Sequence, residues 1–218
     1  MIRLEKVTKF FKVKGGRKYL LKDVNLTIPD GTNVGILGRN GVGKSTLLRM
    51  LGGIDFPNRG RIVADVEFSW PLGLSGGFQG SLTGKENAQF IGRVYSRTDD
   101  QLQEILDFVL KFSELGVYFD MPVKTYSSGM KSRLAFAISL AFDFDYYLID
   151  ETLAVGDAVF KRKCQAALDD LKRKRNVLMV SHSMPMLRQM CETGILLRDG
   201  RLSYFEDVGE AVRVYGGR

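Results

Sequence analysis

Residues Gly38 to Thr46 read Gly-Arg-Asn-Gly-Val-Gly-Lys-Ser-Thr and satisfy the spacing G-x-x-x-x-G-K-[ST]. Those residue types at that spacing are suited to holding phosphate. Gly38, Gly41 and Gly43 let the main chain, with Arg39, Asn40 and Val42 between them, turn its N–H groups inward, where they and a following helix N-terminus cradle a nucleotide's phosphates. Lys44 adds a positive charge between the β- and γ-phosphates. Ser45 offers its hydroxyl to Mg²⁺, and Thr46 stands beside it on the first helical turn.

Two further groups share that chemistry. Tyr146-Tyr147-Leu148-Ile149-Asp150-Glu151 is an apolar run ending in two acids, at the carboxyl end of a predicted strand where ligands bind in open α/β sheets. Asp150 suits the metal, usually through a bound water, and Glu151 suits polarising the attacking water. His182, the chain's single histidine, follows the strand Val177 to Val180 within Ser181-His182-Ser183. That places it at the same sheet edge as Gly38 and Asp150, within reach of a γ-phosphate.

The elements that must position these groups are legible from periodicity. Val34 to Leu37 reads as a short buried strand and Ser45 through Leu51 as a helix with Leu47, Leu48 and Leu51 inward. Ile2, Leu4 and Val7, then Val24, Leu26 and Ile28, predict two half-buried strands flanking Lys12 to Lys18. Pro57, Asn58 and Gly60 mark a loop before a strand at Arg61 to Ala64. Thr83-Gly84-Lys85-Glu86 fits a capping box, predicting a helix towards Tyr95. Leu102, Ile105, Leu106, Val109 and Leu110 predict the next helix. Residues about 84 to 142 thus read as a largely helical lobe inserted between strands, in one domain spanning residues 1–218. Strand and helix alternate again from Tyr146, through a helix carrying Phe160, Cys164, Leu168 and Leu171, which argues for a parallel sheet with helices on its faces. Ile195 to Arg198 and Leu202 to Phe205, around Asp199-Gly200, predict a closing hairpin.

Composition narrows the setting. The 218 residues carry a net charge of +7, which allows an anionic membrane surface or nucleic acid as partner and compels neither. Cys164 and Cys191 lack metal-ligand or CxxC spacing, so buried thiols in a reducing cytosol are expected rather than a disulfide. The start is no signal peptide, and the most apolar stretch, Leu134 to Phe142, is much shorter than a membrane span.

Taken together, these motifs make the chain resemble the nucleotide-binding subunit of an ATP-binding-cassette (ABC) transporter over essentially its whole length. Tyr126-Ser127-Ser128-Gly129-Met130 resembles that family's signature Leu-Ser-Gly-Gly-Gln, departing at the first, central and last positions. Ser127 and Gly129 remain, whose hydroxyl and N–H would meet a γ-phosphate at a helix N-terminus. Gln79, after Gly76-Gly77-Phe78, resembles the glutamine that reaches Mg²⁺ and the attacking water. Phe11 lies where the family stacks an aromatic on adenine, with Tyr19 as the other candidate. Ala154-Val155-Gly156-Asp157 resembles the loop whose Asp touches the opposite subunit; Asp157 is equally an N-cap candidate, and the two roles are compatible.

The resemblance implies the ABC type of phosphate-loop fold: a mainly parallel α/β core, an antiparallel β-subdomain and a helical lobe. It also implies a head-to-tail homodimer with ATP and Mg²⁺ at the interface, each site completed by Ser127 and Gly129 of the other chain. The stretch Ser69 to Asn87, with Trp70-Pro71 and Gly77-Phe78-Gln79-Gly80-Ser81-Leu82-Thr83-Gly84, resembles ABC exporters of surface polysaccharides, nearest the capsular ATPase subunit of Gram-negative bacteria. The expectation is a peripheral ATPase on the cytoplasmic face of the inner membrane, working with a separate transmembrane permease that handles a lipid-anchored polysaccharide. The alternatives are a cassette for O-antigen or teichoic acid, and a soluble cassette acting on ribosomes or nucleic acid. No nucleic acid partner is expected, because neither a tandem cassette nor a long coiled-coil insertion occurs. Trp70 is expected to be buried beside the nucleotide loop.

Overall fold

A computed structural model describes residues 1–72, 77–96, 98–150 and 157–217. The chain divides into two compact units: Met1–Pro71 with Phe144–Glu151 and Leu168–Arg218, and Leu72–Asp143 with Thr152–Ala167.

The first unit holds two sheets. β1 (Ile2–Val13) and β2 (Gly16–Ile28) pair antiparallel, and β4 (Arg59–Ala64) adds to the other edge of β1. The second sheet has the order β5-β6-β3-β7-β8, formed by β5 (Tyr146–Ile149), β6 (Asn176–Val180), β3 (Val34–Leu37), β7 (Thr193–Arg198) and β8 (Arg201–Phe205). Its first four strands are parallel and β8 returns antiparallel to β7. Every residue of β3 and β5 is buried, as strands covered on both faces require. Asn33 fixes where these strands start. Its Oδ1 accepts from the Val177 N–H at 2.7 Å, and its carbonyl accepts from Thr193 at 3.1 Å. α1 (Lys44–Leu51) packs Leu47, Leu48, Met50 and Leu51 into the core formed with Ile36, Leu148, Leu178 and Val180.

The second unit comprises α2 (Gly84–Tyr95), α3 (Asp99–Ser113), α4 (Ser128–Leu140) and the first part of α5 (Ala158–Lys174). Thr83 and Glu86 form the expected capping box on α2. The apolar stretch from Leu134 is the interior of α4, buried on all sides from Leu134 through Ser139. Among the described residues no helix is long and apolar enough to cross a membrane.

Several expectations need correction. The strands do not stop at Lys12 and restart after Lys18: the hairpin continues to Val13 and Gly16, because cross-strand pairs such as Phe10 with Tyr19 support exposed rungs. Leu110 is exposed while Leu102, Leu106 and Val109 are buried, so the inward stripe of α3 is narrower than its apolar content. Trp70 is half-buried, its ring edge-on to Phe144 at 5.5 Å. α6 (Met184–Met190) and α7 (Val208–Gly216) were not expected; Ser183 and Asp207 cap them. Both thiols are buried and free, as expected, and burial pushes Cys164 up to about 11 and Cys191 to about 12.

Candidate nucleotide-binding site

Strand order brings the first-unit candidates to one edge. β3 lies between β6 and β7, with Ile36 level with Val180 and, across β6, Ile149 level with Met179. Gly38, Asp150 and Ser181-His182 therefore leave the carboxyl ends of adjacent parallel strands, which stand about 4.8 Å apart. Asp150 is half-buried and His182 exposed. Ser181 is buried, and its Oγ accepts from the Ser183 N–H at 3.0 Å, shaping the turn that presents His182 ahead of α6.

The loop from Gly38 to Gly43 then enters α1. Gly43 is the N-cap at φ 118°, left-handed backbone that disfavours a side chain, and an added Cβ would come 3.1 Å from Leu20. A glycine here cannot cap the helix with a side chain, and the first turn of α1 holds no acid. The other described α-helices are capped by Thr83, Thr98, Ser127, Asp157, Ser183 and Asp207. The first amides of α1 thus keep their capacity, and the positive end of the helix dipole, for an anion.

Lys44 is buried, and its Nζ donates to the Gly38 carbonyl at 2.8 Å and the Arg39 carbonyl at 3.1 Å, which holds the charge over the loop. Arg39, Asn40 and Gly41 are exposed, while Val42 and Ser45 are half-buried. Thr46 is buried and its Oγ1 accepts from Arg49 at 3.2 Å, so its hydroxyl serves α1 itself. Tyr215 of α7 brings its hydroxyl to 3.5 Å from the Gly38 carbonyl, a neighbour that no sequence signal announced.

Pairing also separates Phe11 from Tyr19. Phe11 lies opposite Lys18, and Lys9 stands 5.4 Å from its ring; Leu20, which a Cβ at Gly43 would meet, sits at the register shift between the Lys9–Leu21 and Phe10–Tyr19 pairs. Tyr19 lies opposite Phe10, in ring contact at 5.4 Å on the other face of the hairpin from Phe11. Phe11 is 44% exposed, so ring surface is left for a base. Lys9 is itself fixed by Asp55 at 2.5 Å and the Phe56 carbonyl at 2.7 Å.

In the second unit Gln79 is exposed, but its peptide is gripped by the buried Asn87. Asn87 Oδ1 accepts from the Gln79 N–H at 2.9 Å, and its Nδ2 donates to the carbonyls of Gln79 at 3.2 Å and Thr83 at 2.8 Å. Sequence reasoning missed Asn87; the available signal was a poor helix former on the buried side of α2. Ser127 caps α4, its Oγ accepting from the Met130 N–H at 3.2 Å, with Gly129 in the first turn. Tyr126, the departure at the first signature position, is a core residue whose hydroxyl donates to the Tyr118 carbonyl at 2.5 Å. Asp157 is an N-cap, accepting at Oδ1 from the N–H groups of Val159 and Phe160, both at 3.0 Å. Glu151, Ala154, Val155, Gly156 and Gly76 lie outside the described residues.

The arrangement is an anion cradle with a buried ammonium, a serine hydroxyl, a carboxylate and an imidazole on one sheet edge. The family model for ABC transporters matches residues 21–154. Over 216 residues the chain is 52% identical to the polysialic acid transport ATP-binding protein KpsT of Escherichia coli, covering 99% of this chain and 98% of that protein. It is 46% identical over 215 residues to the ATP-binding protein BexA of Haemophilus influenzae, covering 99% and 98%. Among solved structures, the dimeric post-hydrolysis state of the ATP-binding cassette MJ0796 bound to ADP and Pi is similar with a TM-score of 0.77 at 27% identity, over 95% of this chain and 99% of that one. This chain belongs to the ABC transporter family of ATP-binding subunits.

Proposed function

We propose that the chain is the ATP-hydrolysing subunit of an exporter that moves lipid-anchored capsular polysaccharide across the inner membrane. The observation that carries this reading is the uncapped N-terminus of α1 beneath Lys44, in a chain that aligns end to end with a polysialic acid transport ATP-binding protein. The loop amides and Lys44 hold the β- and γ-phosphates, and Phe11 stacks on adenine. Mg²⁺ prefers oxygen, and the Ser45 hydroxyl and Asp150 carboxylate of the first unit fit it and would hold it, where it would neutralise phosphate charge; the Gln79 side chain is the further donor that the family resemblance implies. Glu151 orients the attacking water and His182 donates to the γ-phosphate.

Two chains are taken to assemble head to tail, with Ser127 and Gly129 of one completing the phosphate site of the other. Stabilisation supplied in trans accelerates phosphoryl transfer by roughly 10³ to 10⁵ in other phosphate-loop enzymes, so a lone chain should hydrolyse ATP slowly. Closure on ATP and reopening after hydrolysis would move a separate transmembrane permease docked near Gln79 and the helical unit, which keeps the subunit on the cytoplasmic face.

The test is deletion of the gene in its host, complemented by wild type or Glu151→Gln, with surface and cytoplasmic polysaccharide measured. Polymer trapped inside and released only by wild type supports the reading. Unchanged surface glycan would overturn the capsule assignment while leaving the cassette ATPase in place.

A further inference from the structure

Arg133, Asp157, Glu114 and Lys163 converge around the rings of Phe112 and Phe160 in the helical unit. Arg133 belongs to α4, six residues beyond Ser127, or about 9 Å along the helix. Its guanidinium divides between two acids: one nitrogen lies 2.6 Å from Asp157 Oδ2, the other 3.3 Å from Glu114 Oε2. Its Cζ lies 4.4 Å from the centroid of the fully buried Phe160 ring, and its side chain is only 18% exposed. Lys163 closes the cluster, donating to Glu114 Oε1 at 2.7 Å and to the Phe112 carbonyl at 2.9 Å. The planar fork is what arginine supplies and lysine does not, because two differently placed carboxylates are engaged while the ring covers the flat face.

Both oxygens of Asp157 are therefore committed. Oδ1 caps α5, and Oδ2 is tied to the helix that Ser127 begins. We propose that Arg133 is a positioning residue that locks Asp157 to the signature helix, so that Ser127, Gly129 and Asp157 of one chain meet the opposite subunit as one rigid surface. The inference rests on the head-to-tail dimer proposed above. Without Arg133, Asp157 still caps α5 but is no longer held in register with Ser127, and closing the dimer must also order it.

The test uses the full chain carrying Glu151→Gln. ATP-dependent dimerisation is followed by sedimentation, and ATP binding by the separated chains with a fluorescent ATP analogue. Arg133→Met should weaken the ATP-bound dimer about tenfold while changing nucleotide affinity less than about twofold, the scale of one coupled pair. Arg133→Lys should recover part of the loss. Asp157→Asn should weaken the dimer, and the Arg133→Met/Asp157→Asn double variant should be no weaker than the worse single variant. A purely stabilising role would lower the melting temperature without this non-additivity in dimerisation. Dimerisation unchanged in Arg133→Met, or losses that add in full, would overturn the inference. A Glu151→Gln parent that stays monomeric with ATP would instead overturn the dimer reading itself, before any Arg133 variant is compared.

Discussion

Asn87 holds the peptide units at Gln79 from both sides, Oδ1 accepting from its N–H at 2.9 Å and Nδ2 donating to its carbonyl at 3.2 Å. Replacing Asn87 with Ala leaves the Gln79 N–H without this acceptor, while the Gln79 carbonyl keeps the Leu82 N–H at 3.1 Å, and the protein should lose about 1–3 kcal/mol of stability. ATP affinity should stay unchanged, while hydrolysis falls as far as it does in Gln79→Ala. Denaturant melts and single-turnover ATPase assays check the pair of effects. Full activity in Asn87→Ala would show that Gln79 does not depend on this grip.

Gly84 and Tyr126 are matched. A Cβ at Gly84 would overlap the Tyr126 hydroxyl and lie 3.2 Å from the Phe119 carbonyl oxygen. Gly84→Ala should cost about 1–3 kcal/mol through overpacking. Tyr126→Phe alone should cost about 1 kcal/mol for the lost hydrogen bond to Tyr118. Combined, the two should cost clearly less than their sum, because removing the hydroxyl makes room for the methyl group; thermal melts of all four proteins decide it.

Phe11 and Tyr19 are separated by the face of the hairpin they occupy. Phe11→Ala should weaken ATP binding about tenfold, within the roughly 1–3 kcal/mol that base stacking on an aromatic contributes. Tyr19→Ala should change it less than about twofold, since its ring belongs with Phe10. Equilibrium titration with ATP would contradict the face assignment if the order came out reversed.

The Asp157 carboxyl is held below the ordinary carboxylate range by the Phe160 and Val159 backbone amides and by Arg133. Because its folded pKa is depressed, its contribution is fully present above the unfolded value near 3.9 and is lost as pH falls through the folded value. Melting temperature measured from about pH 6 to 3 should therefore fall less steeply in Asp157→Asn than in wild type.

The two buried thiols make stability fall at alkaline pH. Burial favours the protonated form of Cys191 up to about 12 and of Cys164 up to about 11. Between an ordinary thiol pKa of about 8.5 and those values the unfolded chain has lost protons that the folded chain keeps, so stability declines as pH rises. Native protein at neutral pH should resist alkylation at both positions, with labelling appearing only on unfolding. Rapid native labelling of Cys191 would contradict its burial.

Much of the site was readable from local pattern alone. The G-x-x-x-x-G-K-[ST] loop, the apolar strands at Val34 to Leu37 and Tyr146 to Ile149, and the Thr83–Glu86 capping box each depend on neighbours a few residues away. Such signals survive in a sequence because the backbone itself makes the demand. That Gly38, Asp150 and His182 share an edge was also expected, since parallel strands bring their carboxyl ends together. What required the tertiary structure were relations across distance. Which face of the hairpin Phe11 takes depends on cross-strand pairing, and the contact of Leu20 with Gly43 joins segments that periodicity treats separately. Arg133 and Asp157 stand 24 residues apart and meet where the Arg133 guanidinium lies over the Phe160 ring. Local pattern picked out the residues proposed to hold phosphate; packing decided which partners hold those residues still, because a side chain's neighbours across the core leave no period in the sequence.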